Sequence, residues 1–167
     1  MKLFDNSKIE KEIEELPNGI LTILSNTADS INIKSIAIVG GVVRDLIIKS
    51  KRQDYEITFN DLDLIIEGDT SIYIKELIKV LGSERVKVIR HNTIYKTSEI
   101  IINGIKVDIA SARKENYPIP GENPIVELST IKKDLIRRDF NINAMAIELK
   151  GNKLIDLFSG SDAIDNM

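Results

Sequence analysis

The pair Asn103-Gly104, set between the apolar runs Ile100-Ile101-Ile102 and Ile105 to Ala110, constrains this chain most. Two central residues that tolerate positive φ define a type I′ turn, whose twist matches that of the strands it joins, so an antiparallel hairpin is expected here. Upstream, Ile36-Ala37-Ile38-Val39 reads as a short buried strand closed by Gly40-Gly41 and followed by a helical pattern from Val42 to Lys49. A loop over Ser50 to Asn60 precedes a second strand, Leu62 to Ile66, and Ile74, Leu77, Ile78 and Leu81 then repeat at helical spacing before Gly82. A strand is expected at Val86 to Ile89. The alternation is that of an α/β (α+β) chain, and the Asn-Gly hairpin makes its sheet mixed rather than all parallel.

The remaining segments fill in this frame. Ile9, Ile13 and Leu16 form one apolar stripe, Pro17-Asn18-Gly19 interrupts it, and Ile20, Leu21, Ile23, Leu24 and Ala28 resume it, which predicts two short packing helices. After a proline-bearing loop from Tyr117 to Pro124, a helical segment is expected around Ile131 to Met145, then a hairpin around Gly151-Asn152 that ends near Phe158. At 167 residues, with 43% hydrophobic and 29% charged residues, the chain suits one domain with one core.

Composition removes much chemistry. Zero cysteines exclude disulfides, thiolate metal sites and cysteine nucleophiles, and a single histidine excludes a poly-histidine site. His91 therefore reads as a surface or loop residue. A net charge of -3 is the wrong sign for holding nucleic acid by bulk electrostatics. No apolar run approaches the ~20 residues of a membrane span, and the amino terminus is charged rather than signal-like, so a cytoplasmic location without membrane contact is expected.

Three constellations could carry chemistry. In Val39-Gly40-Gly41-Val42-Val43-Arg44-Asp45, a glycine pair between strand and helix lets backbone N–H groups approach a phosphate, and Arg44 could clamp one of its oxygens. Taken alone, it is equally a turn with a surface Arg-Asp pair. In Asp61-Leu62-Asp63, strand alternation sends both carboxylates to one face and Leu62 and Leu64 to the other. Paired carboxylates repel unless a hard cation such as magnesium shares them, although a solvated strand end has the same pattern. Asp108 interrupts an apolar strand between Val107 and Ile109, and three strand-borne aspartates on one face would make a two-metal site for phosphoryl or nucleotidyl displacement. The third stretch runs from Asp134 through Arg137, Arg138 and Asp139 to Ala146. Helical spacing of Ile136, Phe140, Ala144 and Ile147 would leave Asp139 and Asn143 as a polar pair beside two arginines suited to triphosphate, or simply a charged helix face.

Read together and in this order, these residues resemble the head domain of the tRNA nucleotidyltransferase and bacterial poly(A) polymerase family, the class II branch of the polymerase-β-like nucleotidyltransferases. The Val-Gly-Gly-x-Val-Arg-Asp stretch ending at Asp45, the Asp-x-Asp of Asp61 and Asp63, and the Arg-Arg-Asp-Phe-x-Ile-Asn-Ala-Met-Ala run from Arg137 carry the likeness, which extends from about Ile36 to Ser161. Tyr95-Lys96-Thr97 is similar to the family's flexible-loop segment, and Val107 to Tyr117 to its third-carboxylate strand and following loop. Asn141 stands where the family usually has threonine.

The resemblance implies a polymerase-β-like fold over residues 35–167, with residues 1–34 a helical segment packed against it, and transfer of CMP or AMP from CTP or ATP to the 3′ end of tRNA or another RNA. It implies that Asp61 and Asp63 ligate magnesium and that Asp108 lies near the attacking 3′ hydroxyl. Gly40, Gly41, Arg44 and Asp45 would bind the triphosphate. Arg137, Arg138, Asp139 and Asn143 would line its phosphate and ribose side, and Arg113 would belong to the same surroundings. The family's base-pairing Glu-Asp-x-x-Arg type motif and its helical neck, body and tail do not follow Asp139, so a separate helical partner or self-association is expected, with apolar Leu154, Ile155, Leu157 and Phe158 near the interface. A module that binds metal and nucleotide without turnover is the alternative. Nucleotidyl transfer to a small molecule uses the same chemistry, but the Arg-Arg-Asp-Phe run argues against it.

Overall fold

In a computed structural model, residues 13, 19–52, 54–57, 61–119, 121–138 and 141–165 are described. The elements run α1 (Ile20–Ser30), β1 (Ile36–Val39), α2 (Gly41–Lys51), β2 (Asp61–Ile66), α3 (Thr70–Leu81), β3 (Val86–Asn92), β4 (Thr97–Ile102) and β5 (Ile105–Ser111). There follow β6 (Arg113–Asn116), β7 (Ile125–Leu128), α4 (Ile131–Ile136), a 3-10 turn (Asn141–Asn143), β8 (Met145–Glu148), β9 (Lys153–Asp156) and α5 (Gly160–Asp165).

Seven strands form one mixed sheet in the order β3-β4-β5-β2-β1-β8-β9, and β6 and β7 form a separate antiparallel ribbon. Only β2 and β5 pair in parallel among the described strands. The β4–β5 hairpin turns on Asn103 and Gly104, with φ of 50° and 84°, as the Asn-Gly pair requires, and it sets Ile102 opposite Ile105 and Glu99 opposite Asp108. A bulge between Val88 and Arg90 shifts the β3–β4 register and places Arg90 opposite Glu99.

The two faces of the sheet are covered unequally. On one face Ile36, Ile38, Leu62, Leu64, Ile66, Ile100, Val107, Ile109 and Ile147 meet Leu24, Val43, Leu46, Tyr73 and Leu77 of α1, α2 and α3 in the main core. Each fully buried aliphatic side chain there contributes about 1.5–3 kcal/mol. Tyr73 is fully buried, and its hydroxyl donates to the Leu24 carbonyl at 2.8 Å, which ties α3 to α1. On the opposite face a smaller cluster of Ala37, Val39, Ile65, Ala112, Ala146 and Ile155 is roofed by Ile131 and Leu135 of α4. That roof is short. The face over the start of β2 stays open.

Several expectations need correction. The helix expected around Ile131 to Met145 ends at Ile136, which is 60% exposed, and residues 145–148 form β8 instead. Pairing with β1, Ala37 opposite Glu148 and Val39 opposite Ala146, buries Met145, Ala146 and Ile147 completely, and that burial outweighs the helix propensity of Ala-Met-Ala. Ile136, Phe140, Ala144 and Ile147 are consequently not one helical stripe, and Asn143 is in a 3-10 turn rather than a turn along from Asp139. The β6–β7 ribbon flanks the Tyr117–Pro124 loop, where only a loop was expected, and β3 runs on to Asn92. The stripe at Ile9, Ile13 and Leu16 lies outside the described residues except for Ile13, which is buried in the main core.

Truncating Leu77 to alanine should cost about 2–5 kcal/mol, since it empties a fully buried site between α3 and the sheet. Removing only the Tyr73 hydroxyl, as Tyr73→Phe, should cost about 0.5–1.5 kcal/mol and leave the apolar packing in place. Urea unfolding monitored by circular dichroism distinguishes the two magnitudes.

Candidate active site

The open face is built by strand alternation. Leu62 and Leu64 are buried in the main core, so Asp61 and Asp63 emerge on the other side of β2, about 6.5 Å apart along the strand. Parallel pairing sets Asp63 beside Asp108 and Asp61 beside Lys106, on strands about 4.8 Å apart. A row of charges therefore crosses four strands: Arg90, Glu99, Asp108 and Asp63.

The charges in this row are linked. Arg90 meets Glu99 at 3.3 Å, and the Lys106 ammonium lies 3.6 Å from Glu99 and 3.3 Å from Asp108. Among the described residues Asp63 has no such cation at contact distance; burial first, then the Asp61 and Asp108 carboxylates, push its pKa above the usual carboxylate value, with Arg138 and Lys106 acting in the opposite sense. Lys106 is itself held above its ordinary pKa by Asp108 and Glu99.

The glycine turn backs onto this carboxylate. Gly40 has φ of 77°, and a Cβ there would stand 2.8 Å from Asp63 Oδ2, so both conformation and space demand glycine. Gly41 opens α2, and the Arg44 guanidinium folds back toward it, 3.5 Å from where its Cβ would be. Asp45 accepts from Arg44 Nε at 2.8 Å and from the Tyr55 hydroxyl at 3.4 Å, so its visible role is to orient the arginine.

The far wall comes from α4. Its Asp134 is fully buried and receives Arg137 at 2.9 Å, Arg138 at 3.3 Å and the Arg113 backbone N–H at 3.1 Å. Glu115 takes Arg113 at 2.9 Å and Arg137 at 3.3 Å, and its carboxyl is held below its ordinary pKa by Tyr117 and these arginines against the effect of burial. Arg113 also donates to the Tyr95 carbonyl and lies 5.9 Å from the centre of its ring. Lys96, in the same turn, pairs with Asp69 at 2.9 Å. Asp139 lies outside the described residues, and Asn143 is half-buried in the 3-10 turn that packs on α2 and α5.

Between these walls is a cleft of about 330 Å³ lined by Asp63, Asp108, Glu99, Arg90, Thr97 and Arg138 among others. The structure thus gathers Gly40, Asp63, Asp108 and Arg138 at one place, with Asp61 at its rim and Gly41 and Arg44 behind the glycine turn. His91 lies opposite Ser98 in the β3–β4 ladder, between the hydroxyls of Ser71 at 3.0 Å and Ser98 at 2.6 Å, apart from the carboxylate row. Sequence reasoning assigned no role to Glu99, Lys106, Arg90 or the buried Asp134, the last named only as the start of the third stretch. Counting back from the Asn-Gly turn would have set Glu99 opposite Asp108, whereas no spacing signals that Asp134 is buried.

The donor set suits a hard divalent cation, because Asp63, Asp108 and Glu99 bring carboxylate oxygens to the cleft and the pKa of Asp63, raised by burial and then by the Asp61 and Asp108 charges, marks negative charge that a cation would relieve. Among the described residues, no three acidic or histidine side chains are yet gathered tightly enough to hold one ion together.

Residues 36–167 match the family model of the poly A polymerase head domain. An A-adding tRNA nucleotidyltransferase of Halalkalibacterium halodurans is 38% identical over 135 residues, 79% of this chain and 29% of that protein. A solved CCA-adding enzyme, in its apo form II, superposes with a TM-score of 0.78 at 36% identity, covering 98% of this chain and 37% of the other. A tRNA nucleotidyltransferase complexed with a primer tRNA and an incoming ATP analog gives 0.64 at 32% identity over 85% of this chain and 36% of that one. The chain thus spans 29% to 37% of the length of these relatives. With its open seven-stranded sheet and the carboxylate row on its uncovered face, the chain belongs to the poly A polymerase head-domain family of tRNA nucleotidyltransferases.

Proposed function

We propose that this chain is the catalytic head of an RNA 3′-terminal nucleotidyltransferase, which adds CMP, AMP or both from CTP or ATP to the 3′ end of tRNA. The observation that carries the reading is the parallel register of β2 and β5, which puts Asp63 beside Asp108 on the open face opposite Arg138. Asp61 and Asp63 would hold magnesium. Bound there, the ion would supply Lewis-acid stabilisation of charge on the reacting phosphate. That similar proteins include an A-adding and a CCA-adding enzyme, and a tRNA nucleotidyltransferase complexed with a primer tRNA and an ATP analog, supports the substrate class.

The residues divide the work. The RNA 3′ oxygen forms a bond to the α-phosphorus, the bond from that phosphorus to the bridging oxygen breaks, and pyrophosphate leaves. Asp108 is suited to take the hydroxyl proton, because it is the carboxylate beside Asp63 that remains partly open to solvent. Arg44 and Arg138 would neutralise the triphosphate from two sides, the former at the start of α2 and the latter from the wall of α4. Gly40 brings the backbone of the turn against Asp63 without a side chain between them.

A second reading is nucleotide and metal binding in this head, with RNA-directed turnover dependent on helical segments outside these residues, of the kind that fill the rest of its longer relatives. Repair of tRNA lacking its 3′ end, assayed with labelled ATP and CTP and with or without an added helical domain from a relative, separates the two.

Replacing Asp63 with asparagine should have effects of opposite sign. Metal-dependent transfer, or metal-dependent triphosphate binding if turnover needs a partner, should fall by ~10³-fold or more, since Lewis-acid stabilisation is worth several kcal/mol. Metal-free thermal stability at neutral pH should rise. The folded-state pKa of Asp63 is raised, so its ionisation destabilises the fold as pH climbs from the unfolded value through the folded one, and the amide has no such charge. A melting temperature that drops instead would contradict the repulsion described above.

Base selectivity gives another measurement. The described cleft presents carboxylates and arginines for phosphate and sugar, so ATP, CTP, GTP and UTP should bind this chain with similar affinity. A tenfold preference for one base, about 1.4 kcal/mol, would point to a base reader elsewhere in the chain.

A further inference from the structure

Arg138 lines the cleft beside Asp63, yet a long arginine on a six-residue helix end has no intrinsic reason to stay there. What holds it is Asp134, one turn back. Asp134 is fully buried, and its two oxygens divide their partners: Oδ1 accepts from Arg137 Nη2 at 2.9 Å, Arg137 Nε at 3.2 Å and the Arg113 backbone N–H at 3.1 Å, while Oδ2 accepts from Arg138 Nη2 at 3.3 Å and Nε at 3.4 Å. Both guanidinium groups are thus gripped by two nitrogens each, which fixes the plane as well as the position of the fork. Glu115 receives the remaining side of Arg137 at 3.3 Å. Arg137 and Arg138 remain 32% and 24% exposed, so the grip on their inner edges leaves other N–H groups free to meet an anion.

Burying a carboxylate completely is costly unless it is paired, and a surface helix has no need of such a group for its own stability. Ordering a free arginine at the moment of binding would cost side-chain entropy, whereas here that ordering is already part of the fold. We propose that Asp134 is a positioning residue for the triphosphate: its buried carboxylate fixes Arg138, with Arg137 beside it, in the orientation in which the cleft receives phosphate oxygens. Asp134 itself is buried and is not among the cleft's lining residues, so it acts through the arginines. This rests on the reading of the cleft as a triphosphate site.

Inorganic tripolyphosphate and ATP, each titrated calorimetrically into the full chain with magnesium present, test it. Three variants are needed: Asp134→Asn, Arg138→Lys and both together. Arg138→Lys keeps the positive charge but cannot take the two-nitrogen grip, so it should weaken tripolyphosphate binding at least fivefold, and Asp134→Asn should do the same. The double variant should lose clearly less than the product of the two single losses, because Arg138 is one of the two arginines that Asp134 fixes. A purely structural role for Asp134 predicts independent losses that multiply in the double variant, and that result overturns the proposal. So does an Arg138→Lys chain that binds like the wild type, an arm that stands even if Asp134→Asn fails to fold. A wild-type chain that binds neither ligand overturns the triphosphate reading, and this inference with it. Binding by the wild type with all three variants unaffected overturns the positioning role alone.

Discussion

Parallel pairing of β2 with β5 is the joint on which the rest of the molecule depends. It is the one parallel contact among the described strands, and it must be reached through α3, β3 and β4 before any hydrogen bond of the pair can form. Its driving force is on the covered face, where Leu62, Leu64, Val107 and Ile109 are buried without residual exposure beyond 1%. Its chemical product is on the other face. A slip of one residue would send Asp63 into the core and Leu64 to the cleft, so the hydrophobic demand of one face fixes the carboxylate geometry of the other.

The cost of that geometry is visible. Three aspartates share an open face, and Asp63 carries the strain of being partly buried beside two like charges. The protein offsets this with cations drawn from three places: Lys106 within β5, Arg138 from α4 and Arg90 from the edge strand through Glu99. A cleft so balanced is stable enough to fold and still short of positive charge, which is the condition a divalent ion or a cationic environment can exploit.

Much of this was legible from residues alone. Alternation in Asp61 to Ile66 assigned the faces correctly, the Asn103-Gly104 pair located its hairpin, and the glycine pair after Val39 marked a strand-to-helix turn. The segment after Ile136 was misread because Ala144 to Ile147 has helical composition and becomes a strand only when β1 offers it a partner, a fact held in tertiary structure. The β6–β7 ribbon carries short, polar and proline-flanked strands whose period-2 signal is too weak to see. Asp134 was invisible for a different reason: a charged residue in a helix looks solvated until the arginines that enclose it are placed.

The bulge between Val88 and Arg90 has a consequence for how this molecule meets others of its kind. β3 is the outer strand of the sheet, and Val88 and Ile89 are 42% and 45% exposed, so a regular ladder here would offer an apolar template to any passing strand. The extra residue that turns Arg90 toward Glu99 also breaks the even spacing of backbone donors and acceptors along that rim, with Lys87 and Arg90 adding charge beside it. One irregularity thus serves the cleft and keeps the rim from seeding fibrillar stacking.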